Sequence, residues 1–193
     1  MIHLLPQLLG NEWQMILNST QSIVLYFNEP ERNGISPEQA ALLWSNQVMQ
    51  LRSRGKKLCS PSCAGDERGA AWMERFMRLT QSYPPDFIGV HYYGTDVAQA
   101  KQYLNRVHAK YPRQPMMVTE IASISRNYSD VLRFTVEMAN FMDQTPWIFE
   151  YGFFGCMRNV ADNFVSPQAQ LMNRDGSFKD LMYKLMHDQP MHT

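Results

Sequence analysis

Short apolar runs alternate with longer segments of helical periodicity along almost the whole chain, and this alternation limits the folds open to it. Most of the apolar runs are continuous, as in parallel strands that are buried on both faces. The predicted strands are 2–5, 22–27, 57–60, 87–93, 116–119 and 147–153. The predicted helices are 12–17, 37–54, 70–81, 97–111, 129–143 and 179–187. Elements in this order indicate repeated βα units around a parallel sheet.

The helix predicted at 37–54 carries the clearest local signals. Ser36 suits the N-cap, Pro37 the first turn and Gln39 the third position of a capping box. The apolar face predicted from helical spacing consists of Ala41, Leu42, Trp44, Val48 and Leu51. We therefore expect this helix to pack one side against the sheet, with Trp44 in the core.

Six βα units suit either an open doubly wound sheet or an eightfold (β/α)8 barrel, and spacing alone does not choose between them. No glycine-rich phosphate-binding turn follows a predicted strand, which disfavours a nucleotide-binding fold. Polar and aromatic residues collect instead at strand ends: Asn28, Glu29, Ser60, Ser62, His91, Tyr93, Glu120 and the run 151–154. Barrel enzymes gather catalytic groups at that rim, so we expect an α/β fold of the TIM-barrel class in one domain spanning 1–193.

Charge and composition exclude several classes of partner. Lys plus Arg and Asp plus Glu number 18 each, so no net field attracts nucleic acid or an acidic membrane surface. No stretch reaches the roughly 20 apolar residues of a membrane span. The three cysteines and five histidines lack metal-ligand spacing, so we expect no metal and no cofactor. The first nine residues lack the features of a secretory signal, and the compartment stays open.

Two glutamates end buried strands and are the candidate catalytic residues. Glu29 follows the run Ile-Val-Leu-Tyr-Phe-Asn and precedes Pro30, and Glu120 follows Pro-Met-Met-Val-Thr. A carboxylate at such a position is costly to desolvate unless it has a partner or a function. Glycoside cleavage needs two carboxyl groups, one to protonate the leaving oxygen and one to attack or stabilise the sugar centre. The pair therefore favours a glycosidase.

Five segments in order carry a specific family resemblance: Phe-Asn-Glu-Pro (27–30), Leu-Cys-Ser-Pro-Ser (58–62), Val-His-Tyr-Tyr-Gly (90–94), Val-Thr-Glu-Ile-Ala (118–122) and Tyr-Gly-Phe-Phe-Gly (151–155). Over nearly the entire chain, the sequence resembles glycoside hydrolase family 128, clan A (β/α)8 enzymes that act on β-1,3-glucans. The resemblance implies a retaining mechanism with Glu29 as acid/base and Glu120 as nucleophile. It also implies that Asn28 binds the sugar 2-hydroxyl.

Further residues at the strand ends are expected to bind substrate: Ser60, His91, Tyr93, Tyr151 and Phe153. Tyr93 and His91 are the candidate donors that keep Glu120 ionised. Tyr92, which alternates with them, should face the surrounding helices. Sugar rings stack on aromatic side chains, and the family usually shows Trp where this chain has Phe153, so the stacking area is smaller here.

The resemblance makes the strand before Glu29 the fourth strand of a barrel. Three strands should then precede that strand, whereas only one is predicted, at 2–5. The chain is thus expected to hold strands three to eight and to lack the first two βα units. A fragment, a truncated gene, self-association that covers the open edges and a rebuilt fold all remain open. Two functions also remain open: a retaining β-1,3-glucanase, and a β-glucan-binding protein with little or no catalysis.

Overall fold

The structure is a computed structural model and describes residues 5–160, 163–186 and 192. The strands are β1 (Ile23–Leu25), β2 (Lys57–Cys59), β3 (Ile88–Gly94), β4 (Met116–Ser123) and β5 (Ile148–Phe153). The α-helices are α1 (Gly10–Asn18), α2 (Pro37–Asn46), α3 (Glu67–Leu79), α4 (Val97–Lys110), α5 (Tyr128–Asp143) and α6 (Asp180–Leu185). Three 3-10 helices occupy Leu5–Leu8, Val48–Arg54 and Pro167–Ala169.

Five of the predicted strands are confirmed in place, and β4 runs four residues past its predicted end at Thr119. The strand predicted at 2–5 lies outside the described residues except for Leu5, which begins a 3-10 helix. The helix predicted at 37–54 is divided in two, since α2 ends at Asn46 and a 3-10 helix covers Val48–Arg54. The predicted end of the last helix, at position 187, also lies outside the described residues.

The strands form two parallel sheets, with the orders β1-β2 and β3-β4-β5. In β1 and β2, Ile23 pairs with Lys57 and Leu25 with Cys59. Beyond these ladders, isolated parallel bridges join Asn28 to Ser62, Cys59 to Phe87 and Cys63 to Val90. The α/β class with parallel strands and intervening helices is confirmed.

Contacts between Cα atoms divide the chain into two compact units, and the division falls within β3 and β4. The first unit extends to His91 and includes Tyr111–Met117. The second unit comprises Tyr92–Lys110 and the chain from Val118 onward.

Aromatic side chains form the core of the first unit. Trp44 of α2 and Phe76 of α3 are fully buried and meet edge to face at 5.6 Å, and Tyr26 stacks on Phe27 at 4.1 Å. The buried polar atoms of these rings are satisfied by backbone: the Trp44 indole N–H donates to the Tyr83 carbonyl at 2.8 Å, and the Tyr26 hydroxyl donates to the Ala40 carbonyl at 3.0 Å. The core prediction for Trp44 is therefore confirmed.

The apolar face predicted for the second helix is correct in part. Trp44, Val48 and Leu51 are buried, whereas Leu42 is 61% exposed, so its inclusion was wrong. Ala40 occupies the buried position instead, four residues before Trp44. The predicted N-cap is confirmed, because the Ser36 hydroxyl accepts a hydrogen bond from the Gln39 backbone N–H at 3.1 Å.

In the second unit, buried Ala122, Val131, Leu171 and Leu181 form an apolar cluster that joins β4 and α5 to the C-terminal segment. Tyr92 packs its ring against Tyr103 of α4 and Phe134 of α5, which confirms that it faces the helices. No helix within the described parts of the chain combines the length and the apolar character that crossing a membrane requires.

Candidate active site

Glu29 lies in a strained turn four residues after the end of β1. Asn28, just before it, bridges to Ser62, and the Glu29 backbone N–H donates to the Ser62 carbonyl at 2.8 Å. Its φ of 40° makes Glu29 the only non-glycine residue with positive φ in the described part of the chain. Backbone strain of this kind persists only where the surrounding structure holds it in place, and it clusters at functional sites.

The Glu29 carboxylate is 22% exposed and has two basic partners in the first unit. Nδ1 of the fully buried His91 lies 3.0 Å from Oε1, and Nε of Arg32 lies 3.8 Å from Oε2. Arg32 also pairs with Asp66 at 2.5 Å, so its charge is shared between two carboxylates. Glu29 thus combines access from solvent with a buried hydrogen-bond partner that fixes one carboxyl oxygen.

Glu120 and Tyr93 form the corresponding pair in the second unit. The Tyr93 hydroxyl donates to Oε2 of Glu120 at 2.7 Å, which is the predicted donor to this carboxylate. A phenol donor directed at a carboxylate stabilises its negative charge and fixes its orientation. The half-buried Glu120 side chain lies within β4 rather than at its end, since the strand continues to Ser123.

Two aromatic rings pack on Tyr93, and one of them had not been predicted. Phe154 meets the Tyr93 ring edge to face at 5.8 Å, and Phe164 does so at 5.2 Å. Phe164 is 53% exposed. The Arg126 guanidinium donates to the carbonyls of Asn163 and Val165, the residues on either side of Phe164. Phe164 is therefore an aromatic surface held beside the partner of Glu120. The only sequence signal for it was an aromatic residue in a polar loop.

Asn28 and Ser60, both predicted to bind substrate, differ in what they offer. The buried Asn28 Oδ1 makes no hydrogen bond in the described structure, which leaves an acceptor beside Glu29. Ser60 is fully buried, and its hydroxyl donates to the Pro61 carbonyl and accepts from the Gly89 N–H, each at 2.8 Å. Its role in substrate binding stays a prediction, while its contacts hold β2 and β3 together.

Tyr151 and Phe153 lie on β5 with their rings 5.9 Å apart, edge to face. The Tyr151 hydroxyl donates to Asp143 at 2.6 Å, and Phe153 packs against the apolar cluster of the second unit. Both residues are half-buried. Substrate contact by this pair stays a prediction.

A buried acidic residue near Glu29 had also gone unrecognised in the sequence. Glu31 is 3% exposed, and its Oε1 accepts from the Ala64 backbone N–H at 2.8 Å. Burial, and then the neighbouring Glu31 carboxylate, raise the pKa of the Cys63 thiol well above its usual range. Through its hydrogen bond to Ala64, Glu31 holds the segment after β2 against the turn that carries Glu29.

Comparison with known proteins identifies relatives of the chain. The family described as glycosyl hydrolase catalytic core matches residues 8–184. The structure of a glycoside hydrolase family 128 (subgroup VI) exo-β-1,3-glucanase from Aureobasidium namibiae is 55% identical, with a TM-score of 0.98, and the match covers 100% of this chain and 78% of that one. A subgroup V exo-β-1,3-glucanase from Cryptococcus neoformans is 26% identical, with a TM-score of 0.77, over 86% of this chain and 68% of that one.

Alkali-sensitive linkage protein 1 of Schizosaccharomyces pombe is 32% identical to this chain over 103 residues. That match covers 51% of this chain and 19% of the fission yeast protein, so the shared segment is a small part of that protein.

Proposed function

Because this chain belongs to the glycosyl hydrolase catalytic core family, within glycoside hydrolase family 128, we propose that it is a retaining β-1,3-glucanase with Glu29 as acid/base and Glu120 as nucleophile. The observation that carries the proposal is that each glutamate is hydrogen-bonded to a residue of the same strand, His91 or Tyr93 of β3. Alternate residues of a strand project to the same face. The proposal requires that both carboxyl groups reach one glycosidic bond.

The proposed reaction has two displacements. The Glu120 carboxylate attacks the anomeric carbon while the Glu29 carboxyl group gives its proton to the leaving glycosidic oxygen, which produces a glycosyl ester of Glu120 and a free sugar. Glu29, now ionised, takes a proton from water as that water attacks the same carbon. The ester bond breaks, both glutamates return to their first state, and the anomeric configuration is retained.

The hydrogen bonds of the two carboxylates suit these different roles. Glu120 receives a hydrogen bond from the Tyr93 phenol, as suits a group that must attack as an anion. Glu29 contacts His91, whose ring nitrogen can donate or accept, so the contact can be kept while the carboxyl group gains and loses a proton.

The proposed substrate is a β-1,3-glucan or one of its oligosaccharides, as the names of the Aureobasidium and Cryptococcus enzymes suggest. Phe164 offers an exposed ring on which the apolar face of a glucose unit can stack. The unpaired Asn28 Oδ1 can accept a hydrogen bond from a sugar hydroxyl beside Glu29. Tyr151 and Phe153 are proposed as further aromatic contacts.

We further propose that β1 to β5 are strands four to eight of a (β/α)8 barrel. The parallel strand pairing and the intervening helices support this assignment. Among the described strands, β1 and β5 would be the outermost two in this assignment, and self-association of the chain would cover them. Light scattering at several protein concentrations tests that last point, and a monomer at every concentration would reject it.

A reducing-sugar assay on laminarin and laminari-oligosaccharides tests the proposed activity. Glu29→Gln and Glu120→Gln should each lose almost all cleavage, whereas the control Glu38→Gln should keep it, because Glu38 is exposed and pairs with Arg75 on the surface. If wild-type protein binds the sugar without cleaving it above the two variants, the protein is an oligosaccharide-binding protein and the enzymatic proposal fails.

A further inference from the structure

Glu29, the proposed acid/base, has a left-handed backbone conformation that is sterically unfavourable for a residue with a Cβ atom. A glutamate with φ of 40° has its Cβ crowded by the backbone, and non-glycine residues adopt this region rarely. Pro30 follows directly and restricts Glu29 further. A conformation of this kind persists only where neighbouring groups hold it.

One side chain holds the peptide groups on both sides of Glu29. The Asn33 amide nitrogen Nδ2 donates to the Asn28 carbonyl at 3.0 Å and to the Glu29 carbonyl at 3.1 Å. The Asn33 backbone N–H also donates to the Glu29 carbonyl, at 3.2 Å. Asn33 therefore bonds the carbonyl that precedes Glu29 in the chain and the carbonyl of Glu29 itself.

We propose that Asn33 is a positioning residue for the acid/base, and this inference rests on the function proposed above. Its two side-chain hydrogen bonds keep the Glu29 backbone in the left-handed region. The backbone conformation sets the direction of the side chain, and with it the approach of the Glu29 carboxyl group to His91. Asn33 does not touch the reacting atoms, and it acts through Glu29.

A positioning role predicts a loss of activity that depends on the leaving group. An unactivated sugar needs its oxygen protonated as the bond breaks, so a displaced acid slows cleavage of natural oligosaccharides. A dinitrophenolate leaves without protonation, so a displaced acid does not slow formation of the glycosyl-enzyme from a dinitrophenyl glycoside. General loss of structure would instead lower both activities together.

The experiment compares wild type, Asn33→Ala and the control Asn105→Ala. Asn105 is a matched residue, because its exposed amide also donates to the carbonyl four residues earlier, that of Lys101, at 2.8 Å, but it lies on α4. The two substrates are laminaritriose and 2,4-dinitrophenyl β-laminaribioside. For Asn33→Ala we expect kcat/KM on laminaritriose to fall about 10- to 100-fold. On the dinitrophenyl substrate kcat/KM should stay within about twofold, and Asn105→Ala should resemble wild type on both.

Azide gives a second readout. When the base is displaced, water hydrolyses the glycosyl-enzyme formed from the dinitrophenyl substrate only slowly. Azide can attack this intermediate without base assistance. Azide should therefore raise kcat of Asn33→Ala on that substrate and leave kcat of Asn105→Ala unchanged.

An equal loss on both substrates, or no loss on either, would overturn the positioning role of Asn33. Glu29→Gln separates that failure from failure of the proposed function, since it should reproduce the selective loss in a stronger form. If Glu29→Gln shows no such selectivity, the acid/base assignment itself is wrong. A thermal melt of Asn33→Ala close to that of wild type confirms that the variant is folded.

Discussion

Replacement of Gly89 by alanine tests the packing between the end of β2 and the start of β3. A Cβ built on Gly89 would overlap the Ser62 hydroxyl, and it would lie 3.0 Å from the Cys59 sulfur and 3.2 Å from the Ser60 carbonyl. The same glycine donates its N–H to the Ser60 hydroxyl at 2.8 Å. All three neighbours lie at or just after the end of β2 and are buried, so little room exists for relaxation.

Overpacking of a close-packed core costs about 1–3 kcal/mol. A chain of this size loses roughly 2–4 °C of melting temperature for each kcal/mol, so we expect Gly89→Ala to melt about 2–12 °C below wild type. Because the Ser62 carbonyl accepts the Glu29 backbone N–H, the variant should also lower glucan cleavage. Circular dichroism during heating measures the first effect, and the reducing-sugar assay measures the second.

Gly152→Ala is the matched control for this substitution. A Cβ at Gly152 would meet only the Thr119 carbonyl, at 3.5 Å, which is an ordinary contact. We expect its melting temperature to lie within about 2 °C of wild type. Equal melting temperatures for the two alanine variants would refute the packing described around Gly89.

Three further predictions follow from the side chains near the two glutamates and from the cysteines. Phe164→Ala should raise KM for laminari-oligosaccharides about 5- to 10-fold while Phe164→Trp keeps it near wild type, since the loss of one aromatic stacking surface costs about 1 kcal/mol; an unchanged KM in Phe164→Ala would exclude stacking at this ring. Native protein at pH 8 should react with a thiol reagent at Cys156 alone, because Cys59 and Cys63 are buried and the raised pKa of Cys63 keeps it protonated; modification of Cys63 before unfolding would contradict that environment. Since the proposed reaction uses two carboxyl groups and no metal, incubation with EDTA should leave glucan cleavage unchanged, and a loss that Mg²⁺ or Zn²⁺ restores would contradict the mechanism.

The main elements of the fold followed from periodicity, while their exact ends did not. Continuous apolar runs located five strands, but Glu120 was predicted to end its strand because a carboxylate seldom lies inside one. Tyr93 supplies a hydrogen bond to that carboxylate, so β4 continues past it to Ser123. The break after α2 was missed because it too depends on a tertiary contact. Gln47 directly follows α2, and its side-chain amide donates to the Leu8 carbonyl, a long-range contact that helical spacing does not encode.

The candidate site likewise has features that could be predicted from the sequence and features that could not. Predicted strand ends and motifs in register gave Glu29, Glu120, His91 and Tyr93 as candidates, and their roles stay a prediction. The positive φ of Glu29, the bonds of Asn33 and the exposure of Phe164 depend on loop conformations that no periodic pattern predicts. His91 was expected to donate to Glu120, whereas the structure pairs its Nδ1 with Glu29, 62 positions away in the chain. A contact over that distance is not encoded in strand periodicity.

Covalent trapping tests the assignment of the two glutamates most directly. A 2,4-dinitrophenyl 2-deoxy-2-fluoro-β-laminaribioside forms the glycosyl-enzyme readily, and the fluorine slows its hydrolysis, so peptide mass mapping can locate the labelled residue. The proposed mechanism predicts one label, on Glu120, and its release when a laminari-oligosaccharide acceptor is added. A label on Glu29 or on any other residue, or active enzyme that forms no covalent adduct, would contradict it.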